Sequence, residues 1–420
     1  MLRNKELLCI SVNAIILLFS FLITNLVALT CLLLYYSIIL LYQSRKNLYM
    51  FVSVLMIAYS NYGISVYRYW LTDGIVYNQI TTSTSNYDLI GLRVSIFLIF
   101  LVWLLVFIKP LKMHQIIKIN LQHKFKNRNS PLLVVVSCMA LILIWILYYR
   151  FSLGERAEYS PQYEYSTIFF IIGLKYAGQN KLLLFPVLLL ACFYVVFDFA
   201  GGQRSTGVQI AIIVALMVFY RYLSPKKILL YGFFGMFVTK FVAVLRKSFF
   251  APDFQLSDIF LSMSETYFAP DTAGYAYYTS ITYIAIMDIY NIAERLSQFA
   301  DFVTSLFVVG TVGEALPYIA QRHYSHGFGG VLGIYMYYYL GYIGTSLIGI
   351  LVAYYYRLME KVNCLLKYKN SLVYVIIVYV SATTVRWYLY SPSQLLRGVM
   401  ILSVVYLSFE FINRITKSLL

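Results

Sequence analysis

The 420-residue chain reads as an all-α polytopic membrane helix bundle of about twelve transmembrane helices, with one large outer loop that carries amphipathic helices. Three observations predict this. Hydrophobic residues make up 61% of the chain and charged residues only 12%, too few to cover a water-facing surface. Apolar runs near 20 residues recur, the length that crosses a hydrocarbon core about 30 Å thick. Basic residues gather in alternate connections between those runs, which is how a multi-pass chain is oriented.

The first run, 7–24, follows Arg3 and Lys5 as a secretory leader would. It continues past leader length without a small-residue cleavage site, so it is expected to remain as an anchor. Further runs fall at 26–42, 48–70, 89–108, 132–149, 163–176, 182–198, 207–223, 228–245, 329–356, 371–386 and 397–412. A cytoplasmic N-terminus puts Arg45 and Lys46, the basic loop 109–131, Lys175 and Lys181, "RYLSPKK" (221–227), the loop from Arg357 to Lys369, and Arg414 with Lys417 on one side. Both termini are then cytoplasmic. The alternation also decides the shortest run, 163–176: were it not to cross, every later basic loop would land outside.

The longest outer segment, 246–328, reads as interfacial helices. In "NIAERLSQFADFVTSLF" (291–307), Ile292, Leu296, Phe299, Val303 and Leu306 recur every three or four residues, while Asn291 and Glu294 have capping-box spacing. Such a helix lies on the membrane or folds over a cavity. "GYAYYTSITYIAIM" (274–287) suits a re-entrant piece. No internal repeat is visible, and the whole of 1–420 forms a single integral membrane domain.

Several chemistries are absent. The five cysteines make neither a CxxC nor a metal-ligand spacing, and there is no P-loop, HExxH, GxSxG or DxD pair. The net charge of +16 does not point to nucleic acid, because the threading assigns it to cytoplasmic loops. What remains is polar residues on the outer side. There the basic residues are Arg68, Arg93, Arg150, Arg156, Arg204, Arg246, Arg295, Arg322, Arg386 and Arg397, with only Lys240 and Lys247. A topology signal works equally well with lysine, whereas the guanidinium fork binds phosphate bidentately and tolerates desolvation.

Three stretches carry candidate residues. "FDFAGGQRSTG" (197–207) is a glycine turn presenting Arg204. "RHYSHGFGGVLG" (322–333) brings Arg322, His323 and His326 to the mouth of a membrane span, where a histidine near neutral pKa suits general-base work. "VRWYLYSPSQLLRGVM" (385–400) is a short outer turn flanked by Arg386 and Arg397. Each arginine taken singly also suits headgroup snorkelling, and the histidines suit plain interfacial hydrogen bonding. Many of the 42 tyrosines fit an aromatic belt, while those in "EYSPQYEYS" (158–166) suit stacking on sugar rings.

In this combination the chain resembles the Wzy-type O-antigen polymerases and, more distantly, the O-antigen ligases. The likeness rests on the twelve runs, the "GGQRST" turn at 201–206, one dominant outer loop late in the chain, and "HGFGGVLGIYMYYYLGYIGTSLIGIL" (326–351). Arg322 and Gly333 also reproduce an Arg, ten residues, Gly spacing found in periplasmic loops of some members. The resemblance implies a lipid-carrier glycosyltransferase at the periplasmic face of the bacterial inner membrane. It would join oligosaccharide repeat units held on undecaprenyl diphosphate into O-antigen, capsular or exopolysaccharide chains, with no nucleotide, metal or other cofactor. Implied partners are the lipid-linked oligosaccharide, the bilayer, and a chain-length regulator and flippase of the same pathway. His326 would then be the base, His323 the fallback, and Arg204, Arg322, Arg386 and Arg397 the diphosphate site. Two alternatives stay open: a ligase, which uses the same donor, and a flippase, although transporters usually show two similar halves and a midplane site.

Overall fold

The computed structural model describes residues 4–70, 84–107, 129–150, 158–159, 161–201, 204–249, 272–308, 314–324, 329–365 and 372–419. Among them the protein is all-α, apart from one short antiparallel ladder of β1 (Tyr149–Arg150) with β2 (Glu158–Tyr159). Each of the twelve apolar runs is helical. The first nine helices are α1 (Asn4–Ser20), α2 (Leu26–Ser44), α3 (Leu48–Trp70), α4 (Thr84–Phe107), α5 (Pro131–Tyr148), α6 (Ser166–Ala177), α7 (Lys181–Ala200), α8 (Arg204–Met217) and α9 (Pro225–Phe249). They are followed by α10 (Thr272–Ala285), α11 (Ile292–Ser305), α12 (Leu316–Gln321), α13 (Leu332–Leu365), α14 (Leu372–Ala382), α15 (Thr384–Leu389) and α16 (Ser393–Leu419). Among the described residues seven helices are long and apolar enough to cross a membrane: α2, α3, α4, α5, α7, α13 and α16. Apolar pieces of α1, α8 and α14 are shorter.

Local chemistry sets the helix starts. Asn25 accepts from the Val27 and Ala28 amides to open α2, and Asn180 accepts from Leu182 to open α7. Pro131 occupies the first position of α5, where its missing N–H costs nothing. The bundle packs α4 against α2, α13 and α10, while α5, α6, α7 and α8 form a second group joined to it through α14. Outward faces are aliphatic: Leu132, Val135, Met139 and Leu143 on α5, and Leu182, Phe185, Leu189 and Val196 on α7, are all exposed. Stripes of that extent are matched by lipid rather than water.

Four features differ from what periodicity predicts. The run 329–356 is not one helix, because α13 breaks at Gly341 (φ 61°, ψ −146°). The Thr345 hydroxyl donates to the Gly333 carbonyl at 3.1 Å, although a straight helix would hold residues twelve apart about 18 Å from each other. The 332–340 arm therefore folds back on the helix that follows it. Second, α10 departs from the interfacial reading of 246–328 and suits the re-entrant one: Ala273, Tyr277, Ile281 and Ile284 are buried where it packs on α3, α4 and α13. Third, α11 forms with both bonds of the capping box, Glu294 N to Asn291 Oδ1 at 3.0 Å and Asn291 N to Glu294 Oε2 at 2.8 Å. The face it packs, however, is Arg295, Gln298, Phe299 and Phe302 against Tyr335, Tyr338 and Tyr339, which leaves Ile292, Leu296 and Val303 exposed. Fourth, the 385–400 stretch is recessed, with Trp387, Tyr388 and Leu389 buried in the bundle. The Tyr388 hydroxyl donates to Asn61 Oδ1 at 2.8 Å and Thr384 meets Ser53 at 2.7 Å.

Candidate functional site

The polar residues converge on a five-residue 3-10 turn, Pro161–Tyr165, between β2 and α6. Tyr163 and Glu164 are both buried, so the turn at the start of the 12-residue α6 sits within the bundle. The Thr167 hydroxyl ties the turn down by donating to the Glu164 carbonyl at 2.9 Å. Three successive side chains then reach three other elements.

Tyr163 is fully buried and stacks on Tyr194 with ring centroids 5.4 Å apart. Its hydroxyl donates to Asp198 Oδ1 at 2.8 Å. Asp198, itself buried in the last turn of α7, packs against Gly207 of α8. The tyrosine thus ties the turn to the helix that Arg204 begins; the Arg204 side chain lies outside the described residues.

Glu164 is buried and ion-paired with Arg386 of α15, and it also accepts from the Gln394 amide in the first turn of α16. The Arg386 guanidinium lies 4.8 Å from the centroid of the Tyr390 ring. Its Nε is buried without a hydrogen-bond partner among the described residues. Snorkelling does not describe this arginine, which is held inward by a carboxylate. Tyr165, half-buried, lies within the electrostatic reach of Arg397 on α16.

The end of the histidine-bearing stretch meets the same place. Gly330 N–H donates to the Leu389 carbonyl at 2.7 Å, Val331 N–H donates to the Ser280 hydroxyl at 2.6 Å, and the Tyr283 hydroxyl donates to the Gly329 carbonyl. Gly329 has φ 116°, and a Cβ there would lie 3.0 Å from the Leu389 carbonyl oxygen. The backbone leaving His326 is therefore pinned against α15, three residues from Arg386. His326 itself lies outside the described residues.

Arg322 and His323 stand apart from these contacts. Arg322 pairs with Glu314 and keeps 63% of its side chain exposed. His323 is exposed, and its Nε2 lies 3.1 Å from the Tyr290 hydroxyl. No described contact joins either to Glu164 or Arg386. The structure thus ties Arg386 to the turn, sets Arg397 one helical turn beyond Gln394, packs Asp198, the partner of Tyr163, against Arg204's helix, and leaves Arg322 at α12's exposed end.

Glu164, Gln394 and Asp198 are the residues that sequence reasoning missed. The available signal was an acidic side chain at the edge of the shortest apolar run, since ionisable residues at membrane depth tend to pair. Tyr163 also leaves the set of sugar-stacking candidates, because its ring and hydroxyl are both committed to packing. Tyr335, Tyr338 and Tyr339 likewise form a buried cluster under α11. No three His, Cys, Asp or Glu side chains come together among the described residues. No family model, curated protein or solved structure matches the chain.

Proposed function

We propose that this protein is a lipid-carrier-dependent glycosyltransferase, a Wzy-type polymerase that joins oligosaccharide repeat units on undecaprenyl diphosphate. In this reading all twelve runs cross the bacterial inner membrane, both termini are cytoplasmic, and 246–328 with the 161–165 turn face the periplasm. The observation that carries it is Arg386 held at one recessed turn, with Arg397 one helical turn beyond Gln394 and Gly330, four residues after His326, bonded to the Leu389 carbonyl beside them. Guanidinium groups drawn into an apolar bundle suit an anion that arrives from the lipid side, and a diphosphate headgroup is such an anion.

The chemistry then divides among named residues. A hydroxyl of the incoming repeat unit attacks the anomeric carbon of the growing chain, forming the new glycosidic C–O bond. The C–O bond to the diphosphate breaks, its electron pair leaving with undecaprenyl diphosphate. His326 takes the hydroxyl proton, and His323, near the outer surface, is the fallback. Arg386, Arg397, Arg204 and Arg322 neutralise charge as it grows on the leaving group, where fixed cations in a low-dielectric site act most strongly. Half-buried tyrosines such as Tyr165 and Tyr390 offer ring faces to sugars.

Purified protein supplied with lipid-linked repeat units alone is the test. A ladder of products supports a polymerase. A requirement for a second acceptor identifies a ligase instead, and the absence of any new bond favours a flippase.

A further inference from the structure

We infer that Glu164 is a positioning residue, which orients the Arg386 guanidinium and the first turn of α16 toward the diphosphate of the donor. The inference rests on the polymerase reading for its ligand. It deepens that reading by adding an acidic residue to a site read from basic ones.

The geometry suits Glu164 to this role. Only 3% of its side chain is exposed, and both carboxylate oxygens are engaged, Oε1 by Arg386 and Oε2 by Gln394. A carboxylate held between a guanidinium and an amide is committed to those two partners. It fixes geometry well, since its two partners belong to α15 and α16, on either side of the 390–392 turn. The Tyr379 hydroxyl, on α14, reaches the Gln394 carbonyl at 3.5 Å and adds a further tie. Glu164 meets the Nη2 nitrogen of Arg386, whose side chain keeps 20% of its surface exposed. A fork held at one edge and open at its exposed part is oriented for a second anion. The arrangement also explains why an acidic residue belongs beside a phosphate site: an unpaired long arginine rotates freely, and misplacing a reacting group by about 1 Å can cost roughly a hundredfold in rate.

The experiment uses full-length protein in nanodiscs, with undecaprenyl diphosphate as the binding probe and lipid-linked repeat units as substrate. Rates are normalised to folded protein. Glu164→Gln removes the charge at nearly constant volume. It should bind undecaprenyl diphosphate no more weakly than wild type, because a negative charge has left the site, yet polymerise about 10- to 100-fold more slowly. The Arg386-dependent part of the bound 31P shift should disappear. Glu164→Asp keeps the charge and withdraws it by one methylene, so it should fold and still lose about tenfold in rate. The exchange Glu164→Arg with Arg386→Glu restores the ion pair, and should recover thermal stability without recovering activity.

A normal rate and a normal 31P shift in Glu164→Gln would overturn the assignment. Recovery of activity in the exchange would do the same, by showing a pair that only holds the fold. Wild type that binds the probe but forms no polymer sinks the polymerase reading alone, because the 31P comparison still decides the role of Glu164. Wild type that does not bind the probe overturns both.

Discussion

At the scale of single residues, Arg386 separates two effects that an alanine scan would merge. Its partner Glu164 is buried, so Arg386→Ala strands a carboxylate, and breaking a buried pair in this way costs about 3–5 kcal/mol. Loss of activity in that variant would say little about chemistry. Arg386→Lys keeps a cation opposite Glu164 but loses the planar fork, so it should fold in normal yield and polymerise far more slowly. Arg397→Lys should behave alike, and full activity in both would reduce them to packing residues. Arg322→Lys should leave the thermal midpoint unchanged, because its exposed pair with Glu314 is worth less than about 1 kcal/mol. For the base, His326→Ala should insert and bind undecaprenyl diphosphate yet leave chains at one repeat unit, a loss of about 100- to 10,000-fold. Wild type should be indifferent to EDTA; inhibition reversed by a divalent ion would reject a metal-free reaction. The arginines were legible in the sequence because guanidinium is a costly choice in an apolar chain. Glu164 was only half legible: its place at the edge of the shortest apolar run marks it for pairing, but nothing local says which distant helix supplies the partner.

At the scale of elements, the helices were legible and their breaks were not. Each apolar run became a helix because burial of its side chains outweighs weak local propensities. Asn291 and Glu294 announced the start of α11 through a purely local pattern, and both predicted bonds form. The stripe of α11 divides: Phe299 and Leu306 pack inward, Ile292, Leu296 and Val303 stay exposed, and Arg295 and Gln298 bond to α13. Periodicity marks a face that leaves water, and near a membrane that face can meet lipid instead of protein. The fold-back in α13 was hidden for another reason: a glycine within an apolar run reads as helix, and only the φ of Gly341 makes it a corner. No atom lies within 4 Å of where its Cβ would be, so substitution there tests the backbone alone. Gly341→Ala should destabilise by about 1–3 kcal/mol, the cost of forcing a side chain into glycine's region of φ and ψ. A thermal midpoint equal to wild type in Gly341→Ala would contradict that corner. Gly341→Asn should be no better, since ψ of −146° lies outside the left-handed helical well that asparagine tolerates.

At the scale of the whole molecule, the sidedness of the site is what the chemistry depends on. The turn at Glu164, the end of the histidine stretch at Gly330 and the α15 to α16 turn are joined by direct contacts, so they share one side. The opposite end has its own buried tie, Lys175 on α6 to Glu410 on α16 at 2.7 Å, reached by α6 running away from Glu164 and α16 running away from Gln394. These two clusters fix α6 and α16 parallel to each other, both leading from the candidate site toward Lys175 and Glu410. Basic loops should therefore lie at the Lys175 end, in the cytoplasm, and the site at the other face. Single cysteines at Asn127 and at Ser297, an exposed position on α11, test this in an otherwise cysteine-free protein. A membrane-impermeant maleimide applied to spheroplasts should label Ser297→Cys and spare Asn127→Cys until the membrane is opened. Labelling of both from outside would remove the alternation on which the proposed periplasmic site depends. Labelling of Asn127→Cys alone would invert the molecule, placing Arg386 and its partners on the face opposite to the one the proposed reaction requires.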